Sequence, residues 1–165
     1  MTDEELVTRY KAGERNHAGI TLTHGYLPRA GLAGVDLHGS DLSGTNLRGA
    51  NLACADLREA TLAPLLLNGI RVAVTLMEAT LQGADLSGAN LEQANLFRAD
   101  LRRANLTGAN LTAARLVGAD LSDATLTGAR VSVEQLAQAA SLAGATLPDG
   151  STRVEPEELK VESWS

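Results

Sequence analysis

A leucine recurs every five residues through most of this chain, and that interval fits no ordinary helix or strand. From Ala79 the sequence reads ATLQG ADLSG ANLEQ ANLFR ADLRR ANLTG ANLTA ARLVG ADLSD ATLTG. With the leucine as the centre of each unit, Leu76, Leu81, Leu86, Leu91, Leu96, Leu101, Leu106, Leu111, Leu116, Leu121, Leu126 and Val131 follow without a break. Two residues before the centres stand Ala79, Ala84, Ala89, Ala94, Ala99, Ala104, Ala109, Ala114, Ala119, Ala124 and Ala129. The first half keeps the period, with centres at Leu22, Leu27, Leu32, Leu37, Leu42, Leu47, Leu52, Leu57, Leu62, Leu67 and Val72, and more varied residues before them. On a helix a step of five turns the side chain by about 140°, and on a strand it changes face, so neither element buries these leucines together. A short extended face followed by a bend, repeated along the chain, points each centre and its minus-two neighbour inward.

Ten of the sixteen glycines mark those bends two residues after a centre, at Gly34, Gly39, Gly44, Gly49, Gly69, Gly83, Gly88, Gly108, Gly118 and Gly128, where a positive φ is least strained. The residue before the centre is usually Asp, Asn or Thr, short side chains that bond to nearby backbone at a bend. These A(D/N)LXX units resemble the pentapeptide-repeat family over roughly residues 18–131. The resemblance implies an all-β solenoid, a right-handed quadrilateral parallel β-helix with short helical caps, in which four pentads close each coil. At a sheet spacing of about 4.8 Å, about six coils make a rod of roughly 27 Å. Leu81 to Leu126 and Ala79 to Ala124 would then form its core ladder. Each buried leucine contributes about 1.5–3 kcal/mol, and the narrow shaft rejects larger residues at the alanine positions.

Four segments follow from this reading. Residues 1–17 contain a cap helix opened by Thr2-Asp3-Glu4-Glu5, with Leu6, Val7 and Tyr10 on one face and Gly13 as its stop. Residues 18–131 are the repeat. Residues 132–150 hold a second cap helix, signalled by Ser132-Val133-Glu134-Gln135, and two residual pentads around Leu142 and Leu147. Residues 151–165 read as an acidic, mobile tail with room for Trp164 to dock. Leu67 and Leu76 are nine residues apart rather than ten, so a one-residue register slip, in the form of a bulge, is expected near residues 70–75.

Composition narrows the function. Aromatic residues make up 2% of the chain, too few for a base-stacking platform. Lys and Arg total 14 against 20 Asp and Glu, which disfavours direct binding to nucleic acid. No long apolar run predicts a membrane span, and the charged N-terminus carries no secretory pattern, so a cytoplasmic location is expected. His17, His24 and His38 show no ligand spacing and are read as surface residues, and Cys54 lacks a partner or an activating base. The acids occupy one repeated slot, which gives them a structural reading. No enzyme, cofactor or metal is expected.

Surface features remain. Met77, Phe97 and Val117 are one coil apart and form an outward apolar column, with Arg58, Arg98, Arg102, Arg103 and Arg115 as a basic cluster nearby. A non-catalytic solenoid presenting flat faces to a protein partner is the first functional expectation, with a homodimer through the C-terminal end compatible with it. The alternative is a DNA-mimicking protein that binds DNA gyrase or a related topoisomerase. The resemblance to that quinolone-resistance branch is partial, because those members carry Phe at many centres and a strongly anionic rod. Residues 18–131 here hold ten acids against nine arginines.

Overall fold

The structure, a computed structural model, describes residues 1–153. The expectations for Trp164 and for the tail beyond Arg153 fall outside the described residues.

Parallel bridges join residues twenty apart, such as Asp36 to Asp56 and Asp85 to Asn105, and recur every five residues. Four pentads therefore make one coil, with four faces that take their names here from Leu96, Leu101, Leu106 and Leu111. Each face is held by backbone bonds between coils: Leu86 N–H donates to Asn105 O at 2.7 Å, Gly88 N–H to Thr107 O at 2.9 Å, and Asn105 N–H to Ala84 O at 2.9 Å. Between faces the chain makes a four-residue turn, closed at Leu106 by a bond from Ala109 N–H at 3.0 Å. Its third residue, Gly108, has φ +67°, the positive value a type II turn requires. The Asp or Asn before the centre braces the turn, as where Asn105 Oδ1 accepts from Thr107 N–H at 3.1 Å. This is the structural role read for the repeated acids.

Every centre from Leu76 to Leu126 is fully buried, and every alanine from Ala79 to Ala124 is buried behind it. The core thus follows the period directly, with side chains stacked rung over rung.

The register slip takes a different form from the one the spacing suggests. Bridges that span residues 63–74 are offset by 29 rather than 20, as in Asn46 to Thr75 and Thr61 to Asn90, so nine extra residues leave the coil. They form a hairpin of β1 (Leu65–Leu67) and β2 (Ile70–Val72), closed by Asn68 and Gly69 at φ 49° and 79°. Leu67 and Val72 are hairpin residues rather than centres, and Leu66 and Ile70 are 66% and 68% exposed. The cause lies at Pro64. It occupies the slot that needs a positive φ, which its ring forbids, so the coil cannot turn there and the chain rejoins it at the buried Val74.

Both ends carry helices. α1 (Asp3–Lys11) is opened by Thr2, whose side chain accepts from Glu5 N–H at 3.1 Å. It closes in a Schellman pattern, with Gly13 N–H to Tyr10 O and Glu14 N–H to Arg9 O. Leu6 is buried against the first coil, and Tyr10 Oη donates to Ala33 O at 2.7 Å. α2 (Val133–Leu136) has a full capping box between Ser132 and Gln135. Gln135 Nε2 also donates to the carbonyls of Leu111 and Ala114, at 2.7 and 2.8 Å, standing in for the coil that is not there. Two pentads follow, bridged as Asp120 to Ser141 and Thr125 to Thr146.

His17 departs from the surface reading. It occupies the centre slot of a pentad preceding Leu22, is 3% exposed, and has no hydrogen-bond partner for Nε2 among the described residues. His24 is exposed, and His38 is half-buried with Nδ1 2.9 Å from Arg58 O.

Candidate interaction surface

The Leu96 face differs from the other three in charge and in apolar content. Its outward residues include Arg29, Arg48, Arg98 and Arg115 against a single acid, Glu78. The opposite Leu106 face carries Asp36, Asp56, Glu59 and Asp85 against Arg58. The rod that is nearly neutral in total is therefore polarised across its width.

Met77, Phe97 and Val117 stack on the Leu96 face, each a coil from the next. Their carbonyls accept from Gly49, Glu78 and Arg98 N–H at 2.8, 2.9 and 3.0 Å, so the column is fixed by the intercoil ladder. Phe97 is half-buried between two guanidiniums, with Arg98 Cζ at 5.0 Å and Arg115 Cζ at 4.8 Å from the ring centre. Each such contact contributes about 0.5–1 kcal/mol at an exposed site. Stacking holds the guanidiniums while leaving their N–H groups free for an acceptor. Neither Arg98 nor Arg115 has a carboxylate within ion-pair distance among the described residues, whereas Arg48 reaches Glu78 at 3.6 Å.

The remaining arginines of the sequence cluster lie elsewhere. Arg102 is on the Leu101 face, bonded through Nε and Nη2 to both oxygens of Asp100, at 2.8 and 2.6 Å. That bond holds the Asp100 carboxyl below the ordinary carboxylate range. Arg103, at the edge of the same face, is 3.9 Å from Asp123. Arg58 is on the opposite Leu106 face, bonded to Asp56 at 2.9 and 2.6 Å, and lowers that carboxyl likewise. Of the five arginines, only Arg98 and Arg115 flank Phe97.

Cys54 is an exposed free thiol at a turn with φ 56°. Among the described residues no group of three His, Cys, Asp or Glu side chains is placed to hold a metal. No helix among them is long and apolar enough to cross a membrane.

The profile of pentapeptide repeats matches the sequence in eight copies, over residues 30–63, 76–112 and 104–132. The chain belongs to the pentapeptide-repeat family. The gap in the match falls on the hairpin that leaves the coil. Among solved structures, this pentapeptide-repeat chain is similar to the repeat protein Rfr23 of the cyanobacterium Cyanothece 51142, at 31% identity over 79% of this chain and 96% of that one, with a TM-score of 0.67. A pentapeptide-repeat protein of the Arabidopsis thaliana thylakoid lumen is 27% identical over 76% of this chain and 74% of its own, with a TM-score of 0.46. QnrB1, a plasmid-mediated fluoroquinolone resistance protein, is 15% identical over 87% of this chain and 95% of its own, also with a TM-score of 0.46. No curated protein matches the sequence.

Proposed function

We propose that this chain is a right-handed quadrilateral β-helix of about six coils that acts as a non-catalytic docking rod, using its Leu96 face to hold an acidic surface of a protein partner. The observation that carries the reading is the Phe97 ring flanked by the guanidiniums of Arg98 and Arg115, which have no carboxylate in ion-pair distance among the described residues. An aromatic with adjacent arginines is a composition enriched where interfaces are strongest. The rigid backbone ladder fixes their spacing before a partner arrives, which reduces the ordering cost of binding. Binding by the wild type, by Phe97→Asp and by Arg98→Glu/Arg115→Glu to partner proteins from the native cell tests it. Both variants should lose capture while retaining the wild-type circular dichroism and melting temperature.

A second reading, mimicry of DNA toward a topoisomerase, is favoured by one observation, the acidic Leu106 face with Asp36, Asp56 and Asp85 in one column. It is the weaker reading. These carboxylates already accept from the backbone N–H groups of His38, Arg58 and Ser87, and Arg58 neutralises Asp56. DNA presents one charge per about 1.7 Å of its axis, far denser than one acid per coil. A gyrase supercoiling assay with and without a fluoroquinolone decides it; neither inhibition nor protection at micromolar protein removes the reading for that enzyme.

A further inference from the structure

The Leu96 face carries one group of side chains twice. Toward its C-terminal end Phe97 stands beside Arg98 and Arg115. Toward its N-terminal end Tyr26, 67% exposed, stands with Pro28, Arg29 and Arg48 around a hollow of about 470 Å³. The arginines match by position. Arg29 and Arg98 fill the positive-φ slot of their turns, at 57° and 53°, while Arg48 and Arg115 come from the coil that follows. Each turn arginine is fixed by that next coil: Arg29 N–H donates to Arg48 O at 2.8 Å, and Arg98 N–H to Val117 O at 3.0 Å. Their stems lie over Gly49 and Gly118, with Cγ 3.3 and 3.1 Å from where a Cβ on those glycines would stand. Arg29 has no carboxylate in ion-pair distance among the described residues, and Arg48 has the exposed Glu78 at 3.6 Å. An exposed pair of that kind contributes little, so Arg48 can exchange it for a partner's acid.

We infer that this face grips its acidic partner at two points, through an extended segment whose carboxylates lie four residues apart with an apolar residue midway. The inference rests on the docking-rod reading and names what the partner must present. The rung of Tyr26 is three steps from that of Asn95, through Asn46 and Thr75. At about 4.8 Å per step the two clusters are about 14 Å apart. An extended chain rises about 3.3–3.4 Å per residue, so four residues span the same distance. Residues i, i+2 and i+4 of such a chain point to one side. With i and i+4 on the two arginine pairs, residue i+2 meets the middle rung, where the half-buried Met77 offers a thioether that adapts to an apolar contact. Between the clusters the outward column before the leucines is Asn46, Thr75 and Asn95, none of them charged. Acidic segments favour the extended form because like charges repel along the chain.

Two end-capped peptides of identical composition and charge, GEGLGEG and GGELEGG, separate spacing from charge. Each is titrated at low salt into the nitrogen-15-labelled full chain, and amide shifts are followed at Tyr26, Arg29, Phe97 and Arg98. GEGLGEG should bind about tenfold tighter than GGELEGG, because its second contact is intramolecular, and should move both sets of amides with one dissociation constant. Arg29→Glu/Arg48→Glu should reduce its affinity to that of GGELEGG and leave the shift at Phe97. The fold accepts glutamate in the slot of Arg29, as Glu59 and Glu78 have φ 56° and 59° there. Arg103→Glu/Arg130→Glu, which makes the same charge change off this face, should leave binding unchanged. Equal affinity of the two peptides, or no binding of either at millimolar concentration, overturns the inference. So does tighter binding of a thymidine trinucleotide, which carries the same two charges and would assign the clusters to a nucleic acid. If Arg98→Glu/Arg115→Glu abolishes binding while Arg29→Glu/Arg48→Glu does not alter it, the two-point grip is wrong and the docking reading stands. Binding that survives Arg98→Glu/Arg115→Glu undiminished removes the docking reading itself.

Discussion

The guanidinium of Arg115 lies 4.8 Å from the centre of the Phe97 ring, although the two residues belong to successive coils. The contact exists because a coil of twenty residues sets Arg115 beside Asn95, two residues before Phe97. Arg98 completes the pair from Phe97's own pentad. Reversing both charges with Arg98→Glu/Arg115→Glu is expected to abolish partner capture. Wild-type capture itself should weaken steeply as salt rises, and retained capture by the reversed variant in a pull-down would count against the face.

The leucine ladder sets stability. Leu101→Ala empties a fully buried position between two coils and is expected to destabilise the fold by about 2–5 kcal/mol, read from urea unfolding. The exposed Thr112→Ala, in the slot after the neighbouring centre Leu111, should change it by less than about 0.5 kcal/mol.

Ala113 has φ +57° in the turn slot that many pentads fill with glycine. A left-handed conformation costs a non-glycine residue about 1–2 kcal/mol, part of which glycine returns through its larger unfolded-state entropy. Ala113→Gly is therefore expected to stabilise the protein by about 0.5–1 kcal/mol in the same unfolding measurement.

Removing residues 65–73 brings Val74 directly after Pro64 and restores the five-residue spacing from Leu62 to Leu76. With Pro64→Gly the shortened chain should fold and melt close to the wild type. With Pro64 retained it should melt lower, because the turn slot then demands a φ that proline cannot adopt. Thermal melts of the two deletions provide the comparison.

Asp56 and Asp100 are held below the ordinary carboxylate value of 3.8, first of all by hydrogen bonds from Arg58 and Arg102. A depressed carboxyl contributes stability above its unfolded pKa and loses it as the pH falls through its folded value. Stability should decline below about pH 4, and Asp56→Asn/Asp100→Asn should flatten that part of the profile in acid titrations of urea midpoints.

Much of this architecture is legible in the residues. The period of five identifies which side chains line the core, and Thr2 and Ser132 mark the two cap helices where the structure has them. The hairpin was signalled by Asn68-Gly69 between apolar runs and by Pro64 in a turn slot, but Leu67 and Val72 happen to continue the five-residue count, which hides the insertion behind a one-residue discrepancy. The column of Met77, Phe97 and Val117 could be placed by counting because all three follow the hairpin. Arg58 precedes it, and its stacking on Ser87 across a 29-residue coil cannot be found by adding twenty. His17 was hidden differently: a histidine in a leucine slot carries no apolar signal, and only the bridge from Asn16 to Asp36 assigns it to a rung.

The most direct measurement places a photoreactive benzoylphenylalanine at position 97 and, separately, at position 107 on the opposite face, in the native cell. The account predicts a covalent adduct with an acidic protein from position 97 and none from position 107. Adducts from position 107 alone, the same adducts from both positions, or none from either would contradict it.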